Sequence, residues 1–338
     1  RTTLSACTSR RRHPIQSPMI VAIAILAGGL ALLIVGARLL VDGAAALAGR
    51  LGVHPAAVGL TVVAFGTSTP ELLVNLTASA NGVSQIAFGN VVGSNLFNTG
   101  MILGLSALLS PLTIYKRTTR YEIPLALLAV LMALAAGSDY ILAAGAPSAI
   151  GRAEGIMLLG FFLVFISYTL SLFAEESAAD VPTGPGWPIL GSVAATAAGL
   201  GMLYFGGEFT VDSAVTIAGR LGVSNRLIAL TVVSMGTSLP ELVTSLVALG
   251  RGQNDLAVSN VVGSNIFNLF FILGVSATIT PVDVGSRGLL DLMMLLLLSL
   301  LVVLAVFVGP GRRIDRWEGA LLLLGYGGYL GYLLSDVI

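Results

Sequence analysis

Residues Ala64–Leu72 read AFGTSTPEL, and residues Ser234–Leu242 read SMGTSLPEL. Each stretch places hydroxyls, a proline and a glutamate inside a run that is otherwise apolar. A charge at the centre of a membrane helix costs roughly 2.5–3.5 kcal/mol on insertion scales, so such residues usually mark ion pathways. Pro70 and Pro240 carry no amide hydrogen, so the carbonyls of Gly66 and Gly236 lose their helical partners. Each helix is expected to kink or break there and to offer backbone oxygen. At membrane depth, irregular backbone is tolerated only where protein or a wet cavity satisfies it.

The two stretches belong to a longer duplication. Val41–Arg117 aligns without gaps onto Val211–Arg287 at an offset of 170 residues, which places Thr67 on Thr237, and about half the positions are identical. The copies share AGRLGV, LTVV, GTS, PEL, NVVGSN and ILG. A weaker match follows, with Arg152-Ala-Glu-Gly against Arg316-Trp-Glu-Gly. A self-match of this length is a repeat, and missing it would misread the whole fold.

The surrounding chain is membrane-like. It is 56% hydrophobic and 10% charged, with a mean hydropathy of +0.94, against about 25% charged residues in soluble domains. A spanning helix needs about 20 mostly apolar residues. Runs and breaks give ten spans: Met19 to Leu40, Ala56 to Ala80, Ile86 to Leu109, Ile123 to Leu142, Glu154 to Phe173, Pro188 to Thr210, Arg226 to Leu249, Leu256 to Thr280, Leu289 to Val308 and Trp317 to Leu334. The expected fold is an all-α membrane protein of ten transmembrane helices, in two inverted five-helix repeats with broken helices at the midplane. Residues 19–174 form the first repeat and 188–338 the second. The Pro- and Gly-containing stretch 175–187 is the hinge between them. Residues 1–18, with Arg10, Arg11 and Arg12, are expected to be a non-native or disordered extension ahead of Met19.

Five spans separate equivalent points, and an odd number reverses direction across the bilayer. Inverted repeats are typical of secondary transporters, with the substrate site at the midplane between them. Loops after odd-numbered spans carry Arg38, Arg50, Lys116, Arg117, Arg120, Arg251, Arg312, Arg313 and Arg316. The opposite side carries Arg152, Arg220, Arg226 and Arg287. The richer side is expected to be cytoplasmic, with both termini outside, in a prokaryotic inner membrane.

Spacing gathers polar residues into one site. Thr67 and Glu71 lie four apart, as do Thr237 and Glu241, and residues four apart share a helix face. The NVVGSN blocks repeat the pattern with Ser94 and Asn98, and with Ser264 and Asn268. Gly93 and Gly263 permit close helix approach. Two carboxylates with hydroxyls and amide oxygens make an oxygen-only set suited to hard cations; calcium takes 6–8 oxygen ligands. Zinc or copper would call for His or Cys, and the chain has only Cys7, His13 and His54. A net charge of zero gives no footprint for nucleic acid. No cofactor and no obligatory protein partner is implied. Several of these residues have a plainer alternative. Ser94, Ser264, Asn98 and Asn268 could serve helix packing alone, and Ser68 and Ser238 could bond their own helix's carbonyls. Asp42 and Asp212 read as caps or interface anchors near span ends.

The GTS-x-PE and NVVGSN-x-FN blocks, each present twice, resemble the alpha repeats of the calcium/cation antiporter family, sodium/calcium exchanger branch, over nearly the whole chain after Met19. The resemblance implies that Glu71 and Glu241 are central calcium ligands shared with sodium. It implies hydroxyl or carbonyl oxygen from Thr67, Ser68, Thr237 and Ser238, and main-chain carbonyls from Ala64 and Ser234. It places Ser94 and Ser264 at flanking sodium sites and Asn98 and Asn268 at the centre. Several relatives carry Asp where this chain has Asn268, and Asn there leans toward sodium coupling without potassium. Spans one and six would slide against a rigid core. The expected activity is sodium/calcium antiport by alternating access. A calcium/proton or other divalent exchanger is the nearest alternative, followed by a cation channel and an intramembrane enzyme.

Overall fold

The computed structural model describes residues 19–138, 148–175, 186–223, 234–285, 287–308 and 311–335. The extension 1–18, most of the hinge, the end of the fourth span and the first part of the seventh lie outside these residues.

The first repeat contains α1 (Met19–Leu51), α2 (Pro55–Thr67), α3 (Thr69–Ala80), α4 (Ser84–Leu109), α5 (Thr118–Ala136) and α6 (Arg152–Glu175). The second contains α7 (Ile189–Arg220), α8 (Ser234–Gly236), α9 (Leu239–Gly250), α10 (Asn254–Ile279), α11 (Gly288–Val308) and α12 (Arg316–Ser335). Each helix of the first repeat thus has its counterpart six labels later. Seven described helices are long and apolar enough to cross a membrane, and the bent pair α2–α3 makes an eighth. α8–α9 and α12 are the repeat counterparts of α2–α3 and α6.

α1 and α7 run on well past the expected ends at Leu40 and Thr210, to 33 and 32 residues. At 1.5 Å per residue each is about 50 Å long, more than the hydrocarbon core of about 30 Å. The run Ala44–Leu51 is dominated by strong helix formers, four alanines and two leucines with an arginine, and these outweigh the single Gly49. The stop comes at Gly52 and Gly222, whose φ values of 68° and 82° suit glycine. Asp42 and Asp212 therefore sit inside helices. The expectation that they cap span ends is corrected.

α1 lies along α7. Small residues make the approach possible: a Cβ on Gly199 would come 2.6 Å from the Leu40 amide nitrogen, and one on Gly206 2.9 Å from that of Leu33. The two repeats also interlock. α12 packs on α4 and α6 on α10, and the glycines of the two Arg-x-Glu-Gly motifs sit at these crossings. A Cβ on Gly155 would meet the Gly274 carbonyl at 2.9 Å, and one on Gly319 the Gly104 carbonyl at 2.7 Å.

Four two-residue strands tie the ends: β1 (Leu112–Thr113), β2 (Ala149–Ile150), β3 (Val282–Asp283) and β4 (Arg313–Ile314). β1 pairs antiparallel with β4, and β2 with β3. β1 and β4 follow the third and ninth spans, whereas β2 and β3 follow the fourth and eighth. Odd loops thus join odd loops and even loops join even loops, as ten alternating crossings require. The two ends are termed the odd and even faces.

Polarity is distributed as a bilayer demands. Large apolar side chains such as Ile23, Leu163, Leu190, Leu297 and Leu324 are exposed, while Glu71, Glu241, Asn98, Asn260 and Asn268 are fully buried. One apolar cluster unites α4, α5, α6, α10, α11 and α12. A smaller one joins α1 and α7 to α2 and α9.

Candidate cation-binding site

The site forms where both broken helices meet. α2 and α3 are bent by 45° at Ser68. Ser68 has φ −83°, ψ 7°, and Ser238, between α8 and α9, repeats it with φ −90°, ψ 8°. Pro70 and Pro240 are thereby moved into the first turn of a new helix, where a missing amide hydrogen costs nothing. Glu71 and Glu241 also fall in those first turns, where the helix dipole favours negative charge.

The hydroxyls cross between halves. Ser68 donates to Glu241 Oε1 at 2.9 Å, and Ser238 donates to Glu71 Oε1 at 2.9 Å. Neither serine bonds back to its own helix in the manner of the plainer alternative. Ser94 reaches Glu71 Oε1 at 3.3 Å, and Ser264 reaches Glu241 Oε1 at 3.4 Å. Ser264 also lies 3.5 Å from the Ala64 carbonyl, which brings that main-chain oxygen to the site. Each Oε1 is thus fixed by two serines, one from each half. Each Oε2 is buried without a partner.

Spacing alone misplaces the threonines. Four residues apart on a continuous helix, Thr67 would accompany Glu71. The break at Ser68 turns it away: its hydroxyl lies 3.3 Å from both Asn260 Oδ1 and the Ala64 carbonyl, on the Glu241 side. Thr237 correspondingly lies 3.4 Å from Asn90 Oδ1, on the Glu71 side. Ser234 opens α8, but its side chain falls outside the described residues.

Asn98 and Asn268 lie in π-helical segments, Phe97–Leu103 and Phe267–Ile272, a feature common at functional sites. Asn98 donates to Asn265 Oδ1 at 3.1 Å and keeps a buried, unpartnered Oδ1. Neither polar atom of Asn268 has a partner. Gly263 behaves as expected, since a Cβ there would sit 2.8 Å from the Ala64 Cβ. No described atom lies within 4 Å of a Cβ added at Gly93.

Sequence reasoning missed a supporting layer. Asn90 donates to Asn75 Oδ1 at 2.7 Å and to the Glu71 carbonyl at 3.4 Å. Asn260 donates to Ser245 Oγ at 3.1 Å and to the Glu241 carbonyl at 3.5 Å. Asn265 donates to Thr99 Oγ1 at 2.9 Å. The signal was available: Asn90, Ser94 and Asn98 form one four-residue series, and Glu71 with Asn75 another.

Chemically, the arrangement is two buried carboxylates, each with one oxygen pinned and one free of donors. Together with Asn98 and Asn268, five buried side-chain atoms lack partners, four of them oxygens. Buried oxygen without a hydrogen-bond donor is expensive, and a cation satisfies it. Among the described residues no group of three or more His, Cys, Asp or Glu side chains could hold a metal ion, so hydroxyl and amide oxygens must complete any ligand shell.

The family profile described as sodium/calcium exchanger protein matches residues 21–171 and 191–335. The chain belongs to the sodium/calcium exchanger family. The exchanger fold extends to solved structures: the sodium-calcium exchanger NCX_Mj, soaked with zero Na+ and Ca2+, aligns with a TM-score of 0.79 at 31% identity, over 93% of this chain and 99% of that one. Among curated relatives, the putative antiporter CaxA of Alkalimonas amylolytica is 36% identical over 94% of this chain and 100% of its own length. The inner membrane protein YrbG of Escherichia coli is 34% identical over 95% and 99%. The chain is thus an integral, multi-pass membrane protein of an ion-exchanger family.

Proposed function

We propose that this chain exchanges sodium for calcium across a prokaryotic inner membrane by alternating access to one central site. The observation that carries the proposal is the pair of carboxylates whose Oε1 atoms are held by crossed serines while both Oε2 atoms are buried without partners. Glu71 and Glu241 are the calcium ligands, also shared with sodium. Ser68, Ser238, Ser94, Ser264, Thr67, Thr237 and the carbonyls of Ala64 and Ser234 supply further oxygen, and Asn98 and Asn268 close the centre. The positively charged odd face is cytoplasmic.

Electrostatics supplies the coupling. Two ionised carboxylates in one dry site repel each other and lack water. One calcium ion, or sodium ions of the same total charge, offsets both costs. The empty site keeps two buried negative charges, which disfavours passage through the occluded state, so the protein switches when loaded and does not leak. A neutral Asn268 leaves the pair of glutamates as the centre's formal charge among the described residues.

The test is calcium-45 flux in proteoliposomes under an imposed sodium gradient, with and without potassium. Glu71→Gln and Glu241→Gln each abolish flux while the unmodified protein needs sodium and ignores potassium. Normal flux in either variant would refute the assignment. Calcium uptake driven by a pH gradient in sodium-free buffer would turn the reading to calcium/proton exchange.

A further inference from the structure

α11 and α12 pack side by side but do not fill the space between their odd-face ends. A groove of 380 Å³ remains there, lined by Leu301, Leu304 and Val308 of α11 and by Trp317, Glu318 and Leu321 of α12. Pockets that hold small ligands run from about 300 to 1,000 Å³. α11 runs from the even face to the odd, so its last two turns and the first two of α12 place the groove in the odd leaflet. Leu304, Val308, Trp317 and Leu321 are exposed, so the groove opens sideways to lipid. Trp317, at the start of its span, stands at the depth where membrane tryptophans gather.

The mouth of the groove is positively charged. The turn from α11 to α12 brings Arg312 and Arg313, and Arg316 opens α12. The acids beside them are engaged: Asp315 pairs with Arg313 at 2.8 Å, and Glu318 Oε2 accepts from the Asp315 amide at 2.7 Å. Arg312 and Arg316 are exposed, and among the described residues neither has an ion-pair partner. The other repeat lacks this set. At the offset of 164 that places Arg316 on Arg152, residues Arg312, Arg313 and Trp317 fall on Ser148, Ala149 and Ala153. Strands β4 and β2 share that register.

We propose that this groove binds an anionic phospholipid, with one acyl chain between α11 and α12 and the phosphate held by Arg312 and Arg316. The chain suits a lining that is apolar apart from the engaged Glu318. The cationic mouth selects an acidic headgroup over a zwitterionic one, and the guanidinium fork matches phosphate in geometry as well as charge. The bound lipid braces α12, which packs on α4, the helix carrying Asn98.

Trp317 is itself the probe. The chain has two tryptophans, Trp187 and Trp317, so Trp187→Phe leaves a single reporter in the groove. The full chain is placed in phosphatidylcholine vesicles containing a minor fraction of lipid brominated on its acyl chains. At equal fraction, brominated phosphatidylglycerol quenches Trp317 fluorescence several-fold more than brominated phosphatidylcholine, and unbrominated phosphatidylglycerol competes the quenching away. Arg312→Gln together with Arg316→Gln removes the difference, whereas Arg152→Gln, at the even-face equivalent, leaves it in place. Equal quenching by the two brominated lipids overturns the proposal. A preference that survives the double variant overturns it too, since the arginines would then not select the headgroup. Inorganic phosphate leaves the quenching by brominated phosphatidylglycerol unchanged; displacement by it would assign the arginines to a free anion and overturn the lipid site. None of these readouts requires transport, so they decide the groove whether or not sodium/calcium exchange is borne out.

Discussion

At the scale of single residues, the site separates atoms that the proposed function gives to a cation from atoms that aim them. Glu71 and Glu241 stood out in the sequence because a carboxylate in an apolar run is costly to bury and is retained where it binds or carries an ion. Asn90 and Asn260 did not, although each opens an NVVGSN block. Their amides bind the Glu71 and Glu241 carbonyls and the side chains of Asn75 and Ser245, so they fix the first turns of α3 and α9. Residues that orient ligands typically contribute ten- to a hundredfold in metal affinity. Asn260→Ala is therefore expected to raise the half-saturating calcium concentration by roughly ten- to a hundredfold, with flux largely recovered at saturating calcium. A variant with normal affinity would show that the first turn of α9 holds itself. The pairing of Thr67 with Glu71 was legible only as spacing. The break at Ser68, whose ψ of 7° lies off the helical value, sends the hydroxyl to Asn260, on the side of the opposite carboxylate, and no periodicity argument contains that turn.

Elements were legible where hydrophobic runs have clear ends, and less so where a helix continues through polar residues or changes its pitch. The repeat and the ten segments followed from composition and offset alone. The extra turns of α1 and α7 did not, because Asp42 and Arg50 look like boundary residues until Gly52 is recognised as the stop. Nor did the π-helical segments holding Asn98 and Asn268, since a reading at 3.6 residues per turn assumes uniform pitch. Glycine spacing on α1 and α7 carries a further consequence. Gly199 faces the Gly36 carbonyl at 2.7 Å and the Leu40 amide at 2.6 Å from an added Cβ, whereas nothing lies within 4 Å of one at Gly201. Backbone atoms cannot rotate aside, and overpacking of this kind costs about 1–3 kcal/mol. Gly199→Val is expected to lower the apparent melting midpoint of the purified protein by several degrees and to slow exchange. Gly201→Val should leave both unchanged. Equal midpoints for the two variants would mean that α1 and α7 do not approach this closely.

The whole molecule is two halves that are incomplete apart. Each glutamate takes a hydroxyl from the other half, each β ribbon draws one strand from either half, and α6 and α12 each close over a helix of the opposite repeat. Arg50 bonds the carbonyls of Gly186 and Trp187 at 2.9 and 2.8 Å, and all of the ties just named join residues outside 176–185. Covalent continuity then serves mainly to raise the effective concentration of one half for the other. A chain cut between Glu175 and Gly186, with both pieces made in the same membrane, is accordingly expected to reassemble. The pieces should copurify and restore sodium-dependent calcium flux, with Glu71→Gln in one piece or Glu241→Gln in the other abolishing it. Either piece alone should carry nothing, since its carboxylate lacks the crossed serine and its interlocking helices face lipid. Flux from a single piece would require it to pair with a second copy of itself, and would show that the differences between the repeats, Ala153 against Trp317 among them, are not needed for transport.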